Sequence, residues 1–87
     1  MTGRLSGKVA LVSGAARGMG ASHARALAGH GARVVCGDIL DAEGQRIVDE
    51  LGESARYVHL DVTRTEDWAA AVAPEVLRQV RGQAPVA

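Results

Sequence analysis

The sequence predicts an α/β fold, a doubly wound parallel sheet with strands and helices in alternation. Three observations carry that expectation. Val9–Val12 and Ala32–Gly37 are continuous apolar runs rather than alternating ones, the pattern of parallel strands covered on both faces. Glycines at Gly14, Gly18 and Gly20 break the first run into a loop that leads directly into an alanine-rich helical segment. The same strand–helix order then recurs, giving β-α-β-α-β-α, which implies right-handed crossovers in one sheet.

Each element follows from local signals. Residues 1–7 are a polar leader ending at Gly7, and residues 8–12 form the first strand. Residues 13–20 form the glycine loop. Helix one covers about residues 19–29, with Ala24, Leu27 and Ala28 at helical spacing and Gly31 as its stop. Ala32 to Gly37 is strand two, followed directly by Asp38. Asp41 is placed to cap helix two, whose Ile47, Val48 and Leu51 share a face and which stops at Gly52. Ala55 to Leu60 is strand three. Thr63-Arg64-Thr65-Glu66 fits a capping box, with Thr63 as N-cap and Glu66 at N3 of a third helix. Trp68, Ala71, Val72 and Val76 would face the sheet. Pro74 removes a backbone donor and disfavours helix at Ala73, so residues 74–87 are expected to be an atypical tail to a single domain spanning 1–87, in which helix could restart with Pro74 near N1 and continue through Val80; Gly82 to Ala87 has no strand pattern and is expected to fray.

Composition narrows the function classes. With 87 residues the chain is one small domain or part of a larger one, and such a chain buries only about 60–65% of its unfolded surface. Ten basic and ten acidic residues cancel, so there is no electrostatic case for a nucleic acid or an anionic membrane partner. No apolar run approaches the ~18 residues that span a bilayer. The start, Met1 to Ser6, lacks an apolar signal core, so a cytoplasmic location is expected. The single cysteine, Cys36, lies in an apolar run and is expected to be a buried, inert thiol. His23, His30 and His59 are scattered without metal-ligand spacing. Tyr57 and Trp68 alone make no stacking platform for single strands.

The chemistry concentrates in Ser13-Gly14-Ala15-Ala16-Arg17-Gly18-Met19-Gly20. A glycine loop between a strand and a helix lets an anion reach helix N–H groups that have no intrahelical partner. A glycine triplet alone is a weak signal. Here an acid, Asp38, ends the next strand 18 residues after Gly20 (38 − 20), close to the ~20-residue spacing of a dinucleotide site. Its carboxylate would accept from ribose hydroxyls and repel a 2′-phosphate, selecting NAD over NADP; the plain alternative is a turn before helix two. Arg17 argues the other way, since a loop arginine could assist a 2′-phosphate, or could simply be solvated. The carboxylate carries more weight because it stands where that phosphate would have to go. Asp61-Val62 ends strand three at the same sheet edge, where Asp61 could accept from an adenine amino group and Val62 pack on the ring. Equally, Asp61 could be the start signal of helix three. Ser13 could hold the loop by an internal hydrogen bond or be an ordinary turn residue.

These residues resemble the short-chain dehydrogenase/reductase family. Ser13 to Gly20 matches its Thr-Gly-x-x-x-Gly-x-Gly loop with serine for threonine, Asp38 matches its NAD-selecting acid, and Asp61-Val62 matches its adenine-contacting pair. The wording from GKVALVSGAARGMGASHARAL through VVCGDILDAEG to ARYVHLDVT is most like the bacterial 3α(20β)-hydroxysteroid dehydrogenase branch. The resemblance covers about residues 4–72. It implies a Rossmann-type doubly wound sheet of which about three strands are present. It also implies NAD as cofactor, and hydride transfer between the nicotinamide and a secondary alcohol or ketone, such as that of a steroid. The cofactor-binding set it implies is Ser13, Gly14, Arg17, Gly18, Met19, Gly20, Asp38, Ile39, Asp61 and Val62.

The departures limit this expectation. The family's Asn-Asn-Ala-Gly stretch and its catalytic serine, Tyr-x-x-x-Lys and asparagine have no counterpart in the 87 residues. Tyr57 is followed four residues later by Asp61, and the only lysine is Lys8. The chain therefore reads as the amino-terminal part of such an oxidoreductase, with no catalytic residue of its own and without most of the family's oligomer interface. Strand one would then stand at a sheet edge. The competing reading is a non-catalytic nucleotide-binding fragment or inert truncated product. A methyltransferase-like site fits the loop and the Asp-Val pair less well. A P-loop fits worse still, because no Gly-Lys-Ser/Thr follows the loop.

Overall fold

The computed structural model of the chain describes residues 7–73. The break expected at Pro74, the sheet-facing Val76 and the tail from Gly82 to Ala87 lie outside the described residues, as does most of the leader. The elements run β1 (Val9–Ser13), α1 (Gly18–Gly29), β2 (Arg33–Asp38), α2 (Asp41–Leu51), a short 3-10 turn (Gly52–Ser54), β3 (Ala55–His59) and α3 (Thr65–Ala71). The three strands form one parallel sheet in the order β1-β2-β3. Val9 pairs with Arg33 and Ser13 with Gly37; on the other side of β2, Val34 pairs with Ala55 and Asp38 with His59.

The strand in the middle is the one most thoroughly covered. Val34, Val35 and Cys36 of β2 are fully buried, as a continuous apolar run between two neighbours requires. On one face Val34 and Cys36 join Val12, Ala24, Val48 and Ala55, with Leu27, Leu51 and Tyr57 packed against them, so α1 and α2 share that face. Ala24 is completely buried; its small side chain lets α1 lie close to the sheet. An exposed Arg25–Glu50 ion pair joins the two helices at the surface. Strand alternation puts Val35 and Gly37 on the opposite face. There Leu60 seals Gly37 so tightly that a Cβ at Gly37 would lie 2.7 Å from Leu60 Cδ2.

Three expectations are corrected in detail. β1 stands at the expected sheet edge, pairing only with β2 among the described residues, but its faces are not covered throughout, since Val9, Ala10 and Leu11 are half-buried. Its open side and α1 bound a groove lined by Leu11, Val12, Ser13, His23, Ala26 and Leu27. Asp41 does not cap α2; it is the first helical residue, after Leu40, and its carboxylate is taken by Tyr57 and His59 of β3. The capping box at Thr63 does not form. Asp61 takes both the Thr63 N–H and hydroxyl, Glu66 turns to the Arg64 side chain, and α3 begins at Thr65 with Arg64 as an uncapped N-cap. No described helix is long and apolar enough to cross a membrane.

Candidate nucleotide site

All ten candidate residues lie at the carboxyl end of the sheet or in the turn and helix start that follow it, where an open α/β sheet presents its ligand crevice. The glycine loop leaves β1 at Ser13, an exposed residue whose partner in register is Gly37. Gly14 and Gly18 have φ of +66° and +55°, a conformation that side chains with a Cβ rarely adopt. Nothing lies within 4 Å of where a Cβ would stand on either, so the loop is open above both. Gly20 is required for a different reason. It lies in the first turn of α1, and a Cβ there would stand 1.9 Å from the Gly14 carbonyl oxygen. This contact brings the start of α1 onto the loop.

The helix start supplies the donors. The first intrahelical bond is donated by Ala21 N–H to the Arg17 carbonyl, so Gly18, Met19 and Gly20 have no acceptor within the helix. Arg17, the N-cap, contributes no side-chain cap. Met19 is largely exposed beside these donors. The helix dipole adds partial positive charge at the same place.

Asp38 is a buried carboxylate at the end of β2. Its Oδ2 accepts from Ala16 N–H of the glycine loop at 3.0 Å, and its Oδ1 accepts from Ile39 N–H at 2.7 Å and Leu40 N–H at 3.1 Å. The Asp38 side chain therefore joins the loop to the α2 entry. A carboxylate offers about four acceptor positions. Three are used, and the remaining one is on Oδ2, the oxygen nearer the loop. Ala15 N–H donates to the Gly37 carbonyl, which adds a second tie between the loop and β2.

Two further side-chain groups surround Asp38, through pairings that the sequence does not foretell. Arg17 donates through Nε and Nη2 to both oxygens of Glu43, the Nη2 bond at 2.7 Å, so the loop is bridged to the first turn of α2. The hydrogen-bonded pair raises the Arg17 pKa and lowers that of Glu43. The Tyr57 hydroxyl faces the Asp38 carbonyl at 2.6 Å and the Asp41 carboxylate, and His59 Nδ1 lies 2.7 Å from the same Asp41 oxygen. Hydrogen bonds from Tyr57 and His59 hold Asp41 below its ordinary value, while the bond to Asp41 raises His59. Burial, and then Asp41, push the Tyr57 phenol up. Tyr57 reaches this position because Gly44 of α2 leaves room for its ring: a Cβ at Gly44 would lie 2.1 Å from Tyr57 Cε1. The only local signal was the acidic run Asp41-Ala42-Glu43 just past a strand-end aspartate.

Asp61 and Val62 follow β3 on the same edge. Asp61 Oδ1 accepts from the Thr63 N–H at 3.0 Å and hydroxyl at 2.7 Å, and these bonds lower its pKa. The Asp61 side chain thus shapes the turn before α3 without reaching the helix itself, which begins at Thr65. Val62 is exposed, and its carbonyl accepts from Trp68 Nε1–H at 3.0 Å. Ile39 is also exposed, next to Asp38. Two apolar side chains on the rim are thereby left open to a flat apolar ligand. Cys36, by contrast, lies under the sheet surface, and burial pushes its thiol up to about 11.

Comparison with known proteins follows the same lines. The short chain dehydrogenase family matches residues 8–81. The 3-alpha-(or 20-beta)-hydroxysteroid dehydrogenase of Mycobacterium tuberculosis is 67% identical over 72 residues, which cover 83% of this chain and 28% of that protein. Hydroxysteroid dehydrogenase from Escherichia coli superposes with a TM-score of 0.80 at 32% identity, over 88% of this chain and 33% of its own. The 3-ketoacyl-(acyl-carrier-protein) reductase from Brucella melitensis, solved with NADH, superposes with a TM-score of 0.76 at 34% identity, over 91% of this chain and 31% of its own. The chain thus spans about a third or less of the length of each of these proteins.

Proposed function

The chain belongs to the short-chain dehydrogenase family, a family that binds a nicotinamide cofactor, and we propose that residues 13–62 bind the adenosine and pyrophosphate of NAD in preference to NADP. The observation that carries this is the joining of three parts: a positive-φ glycine loop, uncapped helix N–H groups, and a buried carboxylate that bonds to that loop through Ala16. The donors of Gly18, Met19 and Gly20 suit a pyrophosphate. The remaining acceptor position on Asp38 Oδ2 suits one ribose hydroxyl. A 2′-phosphate there would meet a carboxylate in a mostly buried setting, an unfavourable like-charge contact. Ile39 and Val62 would flank the adenine, with Asp61 beside its amino group.

When bound, the cofactor supplies the hydride acceptor or donor. What these residues supply is capture and orientation of its nucleotide end. No Tyr-x-x-x-Lys occurs in the 87 residues, so the role proposed for them ends at cofactor binding. The reaction proposed for the protein is hydride exchange between the cofactor and a secondary alcohol or ketone. A steroid is the preferred substrate class because of the identity to the mycobacterial hydroxysteroid dehydrogenase.

Calorimetric titration of the chain and of Asp38→Ala with NAD and NADP tests the reading. The unaltered chain should bind NAD more tightly, and the variant should lose that preference. An unchanged preference in a folded Asp38→Ala chain would refute the assignment of Asp38.

A further inference from the structure

We infer that Glu43 is a positioning residue that sets dinucleotide specificity, by occupying the Arg17 guanidinium so that it cannot receive a 2′-phosphate. The inference rests on the reading of Asp38 as the ribose-side acid. Arg17 sits one residue beyond Ala16, whose N–H donates to Asp38, and its bridge to Glu43 spans from the loop to the first turn of α2, the two segments that the Asp38 carboxylate joins. Its guanidinium therefore stands at the rim where a 2′ substituent would emerge. An arginine free at that point would favour NADP, since its planar fork matches a phosphate with two parallel hydrogen bonds.

Glu43 takes that fork. It accepts from Nε and Nη2, one oxygen for each, which is the edge of the guanidinium a phosphate would also use. The arrangement is held from both ends. Arg17 is the N-cap residue of α1, and Glu43 is the third residue of α2, a helix that begins three residues after Asp38. A carboxylate in the first turn is also favoured by the helix dipole. A 2′-phosphate would have to displace Glu43 or sit beside it, and beside it the phosphate would face two carboxylates, Glu43 and Asp38. NAD, with a hydroxyl in that position, disturbs neither bond. One loop arginine is thereby made compatible with an NAD site.

Both side chains are partly solvated, Arg17 more than Glu43, so the expected effect is moderate, about three- to tenfold in relative affinity. The test is titration of the 87-residue chain, Glu43→Gln, Arg17→Gln and the double variant with NAD and with NADP at low ionic strength. Glu43→Gln should raise affinity for NADP relative to NAD by about three- to tenfold, and added salt should reduce the gain. The gain should vanish when Arg17→Gln is added. A merely structural role for Glu43 at the helix start would weaken both dinucleotides together and leave their ratio unmoved. If the unaltered chain binds NAD and Glu43→Gln leaves the ratio unchanged, or the gain survives in the double variant, the inference is overturned and the site stands. If the unaltered chain binds neither dinucleotide, the site reading falls and the inference with it.

Discussion

Gly20→Ala should destabilise this chain, whereas Gly29→Ala, in the same helix, should not. Both residues belong to α1, so the intrinsic gain from replacing a helical glycine by alanine, about 0.5–1 kcal/mol, applies to each. Their surroundings differ. A Cβ at Gly29 meets nothing within 4 Å. A Cβ at Gly20 would lie 1.9 Å from the Gly14 carbonyl oxygen, 2.6 Å from its carbon and 3.1 Å from Ala15 Cα. Close C···O contacts in proteins settle near 3.3–3.6 Å, so a gap of more than about 1 Å would have to open between α1 and the loop. The obstructing atoms are backbone and cannot rotate away. Overpacking costs about 1–3 kcal/mol, and a backbone clash this close falls at the upper end, leaving a net loss of about 1–2 kcal/mol after the helix gain. For a domain of this size 1 kcal/mol moves the melting temperature by about 4–8 °C. Thermal and urea unfolding followed by circular dichroism should show Gly20→Ala falling by about 4–16 °C and Gly29→Ala unchanged or raised by a few degrees. Equal shifts in the two variants, or a Gly20→Ala chain as stable as the parent, would refute the claim that Gly20 is kept for close approach.

Three other outcomes are expected. Gly44→Ala should cost about 1–2 kcal/mol by driving the Tyr57 ring off Asp38 and Asp41, and combined with Tyr57→Ala it should cost less than the sum of the two; strict additivity in urea melts would contradict the packing described. The His59–Asp41 bond should stabilise the chain below the ordinary histidine value of 6.5 and lose its effect as pH rises through the raised value of the folded state. At the acid end it should fail as pH falls through the depressed value of Asp41; the melting-temperature difference between the chain and His59→Gln should be fully present just below pH 6.5 and shrink as pH rises above it, and a flat difference would count against it. Cys36, buried and with its thiol pushed up to about 11, should react with a disulfide reagent at neutral pH far more slowly in the native chain than in urea; equal rates would show the thiol to be accessible.

The sheet was legible because its signals are local. Continuous apolar runs marked β1 and β2, and Gly52 marked the end of α2, where it is the C-cap with a φ of +70°. The strand boundaries fall within about a residue of expectation for the same reason. Asp38 was visible as a strand-end acid, because its spacing from the glycine loop follows from one helix and one crossover. The helix starts fall within about a residue of expectation, but their capping partners were not legible. Thr63 and Glu66 have the right residue types for a capping box, but Asp61 and Arg64 are nearer partners. Asp41 has the right type for a cap, but β3 brings Tyr57 and His59 to it from 16 and 18 residues away. Arg17 and Glu43 lie 26 residues apart in sequence, and only the parallel register sets them opposite each other. Short polar side chains choose among competitors, and the competitors are assigned by tertiary structure.

The parallel register also divides the chain into two classes of connection. Three segments leave the carboxyl end of the sheet: 14–17, 39–40 and 60–64. Between them and the start of α1 they hold every candidate contact except Ser13 and Asp38, which close the strands themselves. Two segments return at the opposite end, 30–32 and 52–54, and carry none. Helix length separates the two ends, so residues added to a return segment lengthen a surface loop without shifting a strand relative to its neighbour. Residues added to a departing segment would displace the loop from Asp38 or Glu43 from Arg17. Tolerance to insertion should therefore alternate along the chain, low after each strand and high after each helix, and variation in loop length among relatives should be able to accumulate at one end of the sheet while the other stays constant.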